Sequence, residues 1–202
     1  MTYKEQFKIK LENILNIIGM TNEFYNFTYH FHHYKNEDEK DFIYSGPHSQ
    51  QMAFIRYSLF RNTIIELAKL YSESDNDKYN LNKLLKDCLD GFSAQLKIPR
   101  EYLISFKKVL DENNNLIKRI QNVRSNFYAH SKDYRLDVQF DISFEEVKFL
   151  IQFAEHLLNY IYEFLYDTEI DFNSSLSDRL SFIPLMVEGE KQRIDSIYKE
   201  FK

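Results

Sequence analysis

Apolar residues recur at helical intervals along most of this chain. Between residues 3 and 18, Phe7, Leu11, Ile14, Leu15 and Ile18 fall at i, i+4, i+7, i+8 and i+11, one face of an amphipathic helix. Residues 49–72 place Ala53, Tyr57, Phe60, Ile64, Leu67, Ala68 and Tyr71 on one face, and residues 80–96 repeat Leu81, Leu84, Leu85, Cys88, Leu89 and Phe92. Pro99 suits the first turn of a helix starting near Arg100, where its missing N–H costs nothing. That helical stretch runs to about Ser131, with a break at the Asn113–Asn115 run, because Asn is a weak helix former. Ser143 and Glu146 spell a capping box and open the most regular helix, with Val147, Leu150, Ile151, Ala154, Leu157, Leu158, Ile161, Phe164 and Leu165 on one face.

The remaining stretches have weaker patterns. Residues 22–47 are aromatic and polar without one period, and the acidic run Asn36–Asp41 predicts a loop. Leu136, Val138, Phe140 and Ile142 alternate, which predicts an extended connector: one strand without a partner makes no sheet. The tail, 172–202, carries an amphipathic stretch ending in Ile194, Ile197, Tyr198 and Phe201 that either docks as a helix or frays. The fold these elements predict is all-α: an antiparallel bundle of four to five core helices with peripheral helices and loops. Residues 1–202 form one domain, with 172–202 as a C-terminal extension.

Composition agrees with that picture. Four Gly and three Pro leave few residues for tight hairpins. The lone cysteine, Cys88, excludes an internal disulfide, suits a reducing compartment, and falls in a leucine stripe as a small core residue. The start, MTYKEQFKIK, has no apolar signal-peptide core, and no apolar run approaches the roughly 20 residues that span a bilayer. A cytoplasmic protein without membrane contact is expected.

Charge singles out one segment. The chain carries a net −5, which disfavours indiscriminate nucleic-acid binding. Residues 118–135 reverse it: Lys118, Arg119, Arg124, Lys132 and Arg135 against Asp133 give +4, leaving −9 for the remainder. The same segment pairs Arg124 with His130. Arginine binds phosphate through a planar fork, and histidine moves protons near neutral pH.

Spacing alone carries little, since eight Arg and six His give roughly 0.7 chance pairs four to six apart. Helical position carries more. Leu116, Ile117, Ile120, Val123 and Phe127 form an apolar stripe, and Arg124 lies about 40° from its centre. A guanidinium in that place needs an acid, carbonyls, a subunit interface or an anion. Two readings stay open on residue physics: an ion pair, for instance with Glu66, while His130 caps helix carbonyls, or a phosphate site.

Three other histidines, His30, His32 and His33, lack metal-ligand spacing, because i and i+2 point apart on a helix. They read as a solvated or aromatic-packed cluster. No glycine-rich phosphate loop, H-E-x-x-H or serine or cysteine nucleophile arrangement occurs.

The wording RSNFYAHSKD, residues 124–133, resembles the signature of HEPN domains, and most of all the branch associated with bacterial abortive infection. FRNTIIELAKLYSES, followed by a leucine-periodic helix, extends the likeness to residues 50–165 as a HEPN-like core. The polar residue that commonly follows the Arg is Ser125 here, with Asn126 one place later.

The resemblance implies a homodimer whose Arg124–His130 segments meet at the interface, forming an endoribonuclease site that needs no metal or cofactor. It implies a toxin-like role in phage defence or a toxin–antitoxin pair, with RNA as substrate and an antitoxin protein as a possible partner. Catalytic roles would fall to Arg124, His130 and Asn126, and substrate contacts to Arg119, Tyr128, Lys132 and Arg135. Geometry accords with a shared site, because Arg124 and His130 stand about 9 Å apart along one helix and about 120° around it. The alternative is a non-catalytic module of the same fold that binds a protein or nucleotide.

Overall fold

The computed structural model describes residues 2–74, 76–92, 96, 98–129, 141–172 and 182–200. Among these there are eight α-helices: α1 (Tyr3–His32), α2 (Glu37–Tyr44), α3 (Ser49–Leu70), α4 (Leu81–Asp87), α5 (Arg100–Glu112), α6 (Asn114–Ala129), α7 (Phe144–Tyr166) and α8 (Phe182–Glu200). No strand occurs among the described residues, and the protein is all-α.

The first helix runs almost twice as far as its clean apolar period. Its core face continues Phe7, Leu11, Ile14, Ile18, Thr21, Tyr25 and Thr28, all buried. Two of these positions are threonines, which hides the stripe in the sequence. Their hydroxyls are satisfied locally: Thr21 Oγ1 donates to the Ile17 carbonyl and Thr28 Oγ1 to the Phe24 carbonyl, each at 2.7 Å. A capping box starts the helix, with Thr2 Oγ1 accepting from Glu5 N–H and Glu5 Oε2 accepting from Thr2 N–H.

The acidic run expected as a loop is instead the start of α2. Asn36 Oδ1 accepts from Glu39 N–H at 2.9 Å, and Glu37, Asp38 and Glu39 occupy the first turn. Negative charge is favourable at that end of a helix dipole. Glu39 then turns inward, 3% exposed, and accepts from Lys35 N–H.

α1 packs along α3 and α7, and α6 packs against α3. Their buried faces, with those of α4 and α5, form the main core. That core reaches outside residues 50–165, because α1 supplies Phe7, Leu11, Ile14, Ile18 and Tyr25. Tyr71 is fully buried at the end of α3, and its hydroxyl donates to the Leu150 carbonyl of α7 at 2.6 Å. Residues 80–96 depart from one continuous helix: α4 gives way to a π-helical turn, Cys88–Phe92. Cys88 lies in the core, where burial pushes its thiol pKa up to about 12.

A second, smaller core joins Phe31, Phe42, Ile43, Met52 and Ile183. The C-terminal helix docks there by its front half, through Ile183, Met186 and Val187, with Lys191 bonded to Asp38 at 2.6 Å. Of the two outcomes open for the tail the helix forms, but Ile194, Ile197 and Tyr198 stay exposed and do not dock. None of the described helices is long and apolar enough to cross a membrane.

Candidate functional site

α6 carries the Arg-rich segment and changes character along its length. Leu116, Ile117 and Ile120 are buried, and Val123 packs against the main core. Arg124 is half-buried at the edge of that face, while Ser125 and Asn126 are exposed. As far as Val123 the apolar stripe runs as the sequence predicts, and Arg124 lies at its boundary. Asn126 faces solvent one turn before the position of His130.

Arg124 is not loose in this arrangement, since it makes a contact of its own. Around it, Ser125 Oγ donates to the Gln121 carbonyl at 3.0 Å, and Gln121 Nε2 donates to the Tyr71 carbonyl at 3.0 Å. The second bond fixes the middle of α6 to the end of α3, while the first stays within α6. Glu66, the carboxylate suggested for Arg124, accepts from Lys69 at 2.5 Å.

Arg119 has structural employment. Its guanidinium donates to the Asp141 carbonyl at 2.7 Å and bonds the Glu146 carboxylate. Glu146 is the third residue of the Ser143 capping box, so Arg119 ties α6 to the first turn of α7. The Ser143 N–H, assisted by Arg119, holds the Glu146 carboxyl below the ordinary glutamate range.

Phe144, the first residue of α7, is the second fastening. Its ring lies 5.1 Å from His32, 5.6 Å from His33, 5.8 Å from Tyr29 and 6.1 Å from both Tyr25 and Phe60. His32 and His33 thus serve ring packing, and His33 also stacks on Tyr29 at 3.8 Å. Burial lowers the pKa of His30, and burial with the nearby Arg56 lowers that of His32, so both favour the neutral ring.

The sequence offers ring packing as one of two readings for these histidines, a solvated or aromatic-packed cluster, but does not name Phe144 or the tyrosines as their partners. The signal was present, however, in the four Tyr and His residues at 25, 29, 32 and 33, which recur every three or four positions.

His130, Lys132 and Arg135 lie outside the described residues, as do the alternating positions 136–140. Tyr128 falls within α6. What the structure establishes is the frame on either side: α6 delivers the chain to Ala129, and the Arg119 clamp and the Phe144 cage receive it at Asp141–Glu146.

The family model described as AbiU2, of HEPN type, matches residues 6–179. The chain belongs to the AbiU2 family of HEPN domains. This is an abortive-infection family, and its model spans α1 to α7, including the helix whose threonine-broken stripe the sequence pattern obscured. No curated protein and no solved structure matches the chain. Within the HEPN frame, Arg124 and Asn126 occupy the last two turns of α6, with His130 immediately after it.

Proposed function

We propose that this HEPN protein is a metal-independent endoribonuclease that acts as a toxin in phage defence or a toxin–antitoxin pair. The observation that carries the reading is the Arg124–His130 motif, whose Arg124 and exposed Asn126 lie late in α6, in a chain whose family is tied to abortive infection.

In this reading the ribose 2′-OH attacks its own phosphate. His130 takes the hydroxyl proton, and the P–O5′ bond breaks to leave a 2′,3′-cyclic phosphate and a 5′-OH that regains a proton. An unperturbed histidine pKa of about 6.5 suits that exchange near neutral pH. Arg124 offers its fork to the phosphorane oxygens, and Asn126 orients the imidazole or a phosphate oxygen. Tyr128 stacks on a base, and Lys132 and Arg135 hold the backbone.

Arg119, bonded to Asp141 and Glu146, serves this site by fastening the return of the segment rather than by holding RNA. The axial offset between Arg124 and His130 favours a homodimer in which the Arg of one protomer meets the His of the other. An antitoxin protein would restrain the free enzyme.

The test is to incubate purified protein with total RNA in EDTA and to analyse the ends. Fragments with 2′,3′-cyclic phosphate are expected from the native chain and none from His130→Ala, with an unchanged helical circular dichroism spectrum. Cleavage that survives His130→Ala removes the assignment. Absence of any cleavage by the native protein leaves a non-catalytic HEPN module.

A further inference from the structure

A second positive place lies on the acidic surface, away from residues 118–135. A cleft of about 460 Å³ opens between the end of α3, α4 with its π-helical turn, and α5. Lys83 and Lys86 reach it from α4 and Lys107 from α5, against Glu73 and Asp90. Three lysines and two acids leave it at +1 on a chain of net −5.

The walls of the cleft are internally satisfied. Asn80, fully buried, accepts from Lys83 N–H at 2.8 Å and donates to the Asp77 carbonyl at 2.8 Å. Ser72 is also buried, and its Oγ accepts from Ser74 N–H at 3.0 Å. Lys83 Nζ donates to the Asp77 carbonyl at 3.0 Å. By contrast, Lys86 and Lys107 are exposed, and no salt bridge or hydrogen bond engages either ammonium among the described residues. They are the groups available to a ligand.

The geometry points to this cleft as a binding site for one nucleotide unit of single-stranded RNA, its phosphates on Lys86 and Lys107 and its base or ribose against Leu89. Three observations support that occupant. The volume suits one nucleotide, since small-molecule pockets run from about 300 to 1,000 Å³. The lining joins lysine, a compact cation suited to phosphate, with the apolar side of Leu89. The π-helical turn swings Leu89 and Asp90 into the wall, and such turns are frequent at functional sites.

The cleft is also coupled to the proposed ribonuclease site, and the inference rests on that reading. Ser72 adjoins Tyr71, whose carbonyl accepts from Gln121 of α6. Ala129 ends that helix eight residues, or about 12 Å, farther on. A strand engaged at Arg124, one turn beyond Gln121, would lie near the end of α3 that the cleft adjoins.

The probe is a fluorescein-labelled oligouridine 12-mer, measured by anisotropy between about 50 and 200 mM salt, on a His130→Ala background that cannot cut it. The double variants Lys86→Gln/Lys107→Gln and Lys86→Glu/Lys107→Glu are compared with Lys4→Glu/Lys8→Glu on α1. Loss of two phosphate contacts should flatten the log–log salt slope by about 1.4, at about 0.7 per contact for single strands. It should also weaken binding about tenfold or more at low salt, with the α1 control near the parent.

Slopes and affinities that match the control overturn the cleft assignment. If the chain with His130 restored still cleaves in that case, the ribonuclease reading stands without it. If the chain with His130 intact does not cleave RNA and the His130→Ala parent does not bind it, both fail. The neutral Gln pair keeps the test decisive should charge reversal disturb folding.

Discussion

The two halves of α6 follow different rules although they are one unbroken helix. From Asn114 to Val123 it faces inward: Leu116, Ile117 and Ile120 are buried, and Arg119 is bonded to the start of α7. From Arg124 onward the described side chains are half-buried or exposed. Apolar burial at roughly 25 cal/mol per Å² holds the first half in place, and the second half follows it with a contact at Arg124 and the Ser125–Gln121 bond rather than a buried face. A helix anchored over ten residues presents its last turn with little freedom, which a site requiring fixed groups can use. The same arrangement predicts that substitutions should separate into two classes, those that cost stability and those that cost activity.

The widest separation is expected at Arg124. Arg124→Lys keeps the charge and loses the planar fork, so cleavage should fall about 100- to 1,000-fold, the usual effect of losing one transition-state donor. Its denaturation midpoint should move far less than that loss implies, and urea titration beside a cleavage assay checks both. Equal losses in stability and rate would place Arg124 with the packed half. Four residues earlier, Ile120→Ala should do the reverse. Ile120 is fully buried in the main core, and its truncation should cost roughly 3 kcal/mol in stability. Per folded molecule, cleavage should survive at temperatures well below the midpoint.

How much of this was legible from the sequence depended on whether the deciding residues advertise themselves. The apolar stripes of α3, α6 as far as Val123, and α7 and the Ser143–Glu146 cap follow from residue type and period alone, and the structure agrees except at Phe164, which is exposed near the end of α7. The far half of α1 was hidden because Thr21 and Thr28 occupy core positions and satisfy their own hydroxyls on the helix. The start of α2 was hidden because an acidic run suits both a solvated loop and a first helical turn, and only the Asn36 cap decides between them. At the site, Arg124 on the edge of a buried stripe could be read from the heptad of neighbours. The employment of Arg119 could not, because Glu146 is 27 residues away and no local pattern announces the pair.

Gln121 sits at the junction of the two halves and tests whether they are mechanically linked. Its amide is α6's bond to the end of α3, donating to the Tyr71 carbonyl. Gln121→Ala should cost about 1 kcal/mol in stability, the ordinary worth of such a bond. If the junction steadies the displayed turn, cleavage should also fall more than stability explains. A variant with wild-type activity and reduced stability would show that the packed half alone holds the motif.

The smallest effect concerns Arg119, where the two halves are easiest to confuse. Both partners are about one-third exposed, at 32% and 33%, so the pair should be worth under about 1 kcal/mol after solvent screening. Its sign with pH is nevertheless fixed. Glu146 is held below the ordinary value of 4.5, first by the Ser143 N–H and then by Arg119, so the unfolded chain binds its proton more readily. The contribution is complete above 4.5 and fades as acid carries the pH down through the lowered native value.

Arg119→Met should therefore lower the urea midpoint slightly at neutral pH, and the deficit relative to the native chain should shrink as the pH falls below 4.5. Glu146→Gln retains the cap geometry and should lose more of the acid sensitivity, because it removes the Ser143 contribution together with that of Arg119. RNA affinity measured beside these titrations completes the comparison. If Arg119→Met leaves the acid profile intact but weakens RNA binding as strongly as loss of Lys132 or Arg135, Arg119 belongs to the displayed half. The division of α6 would then fall before residue 119 instead of at Arg124.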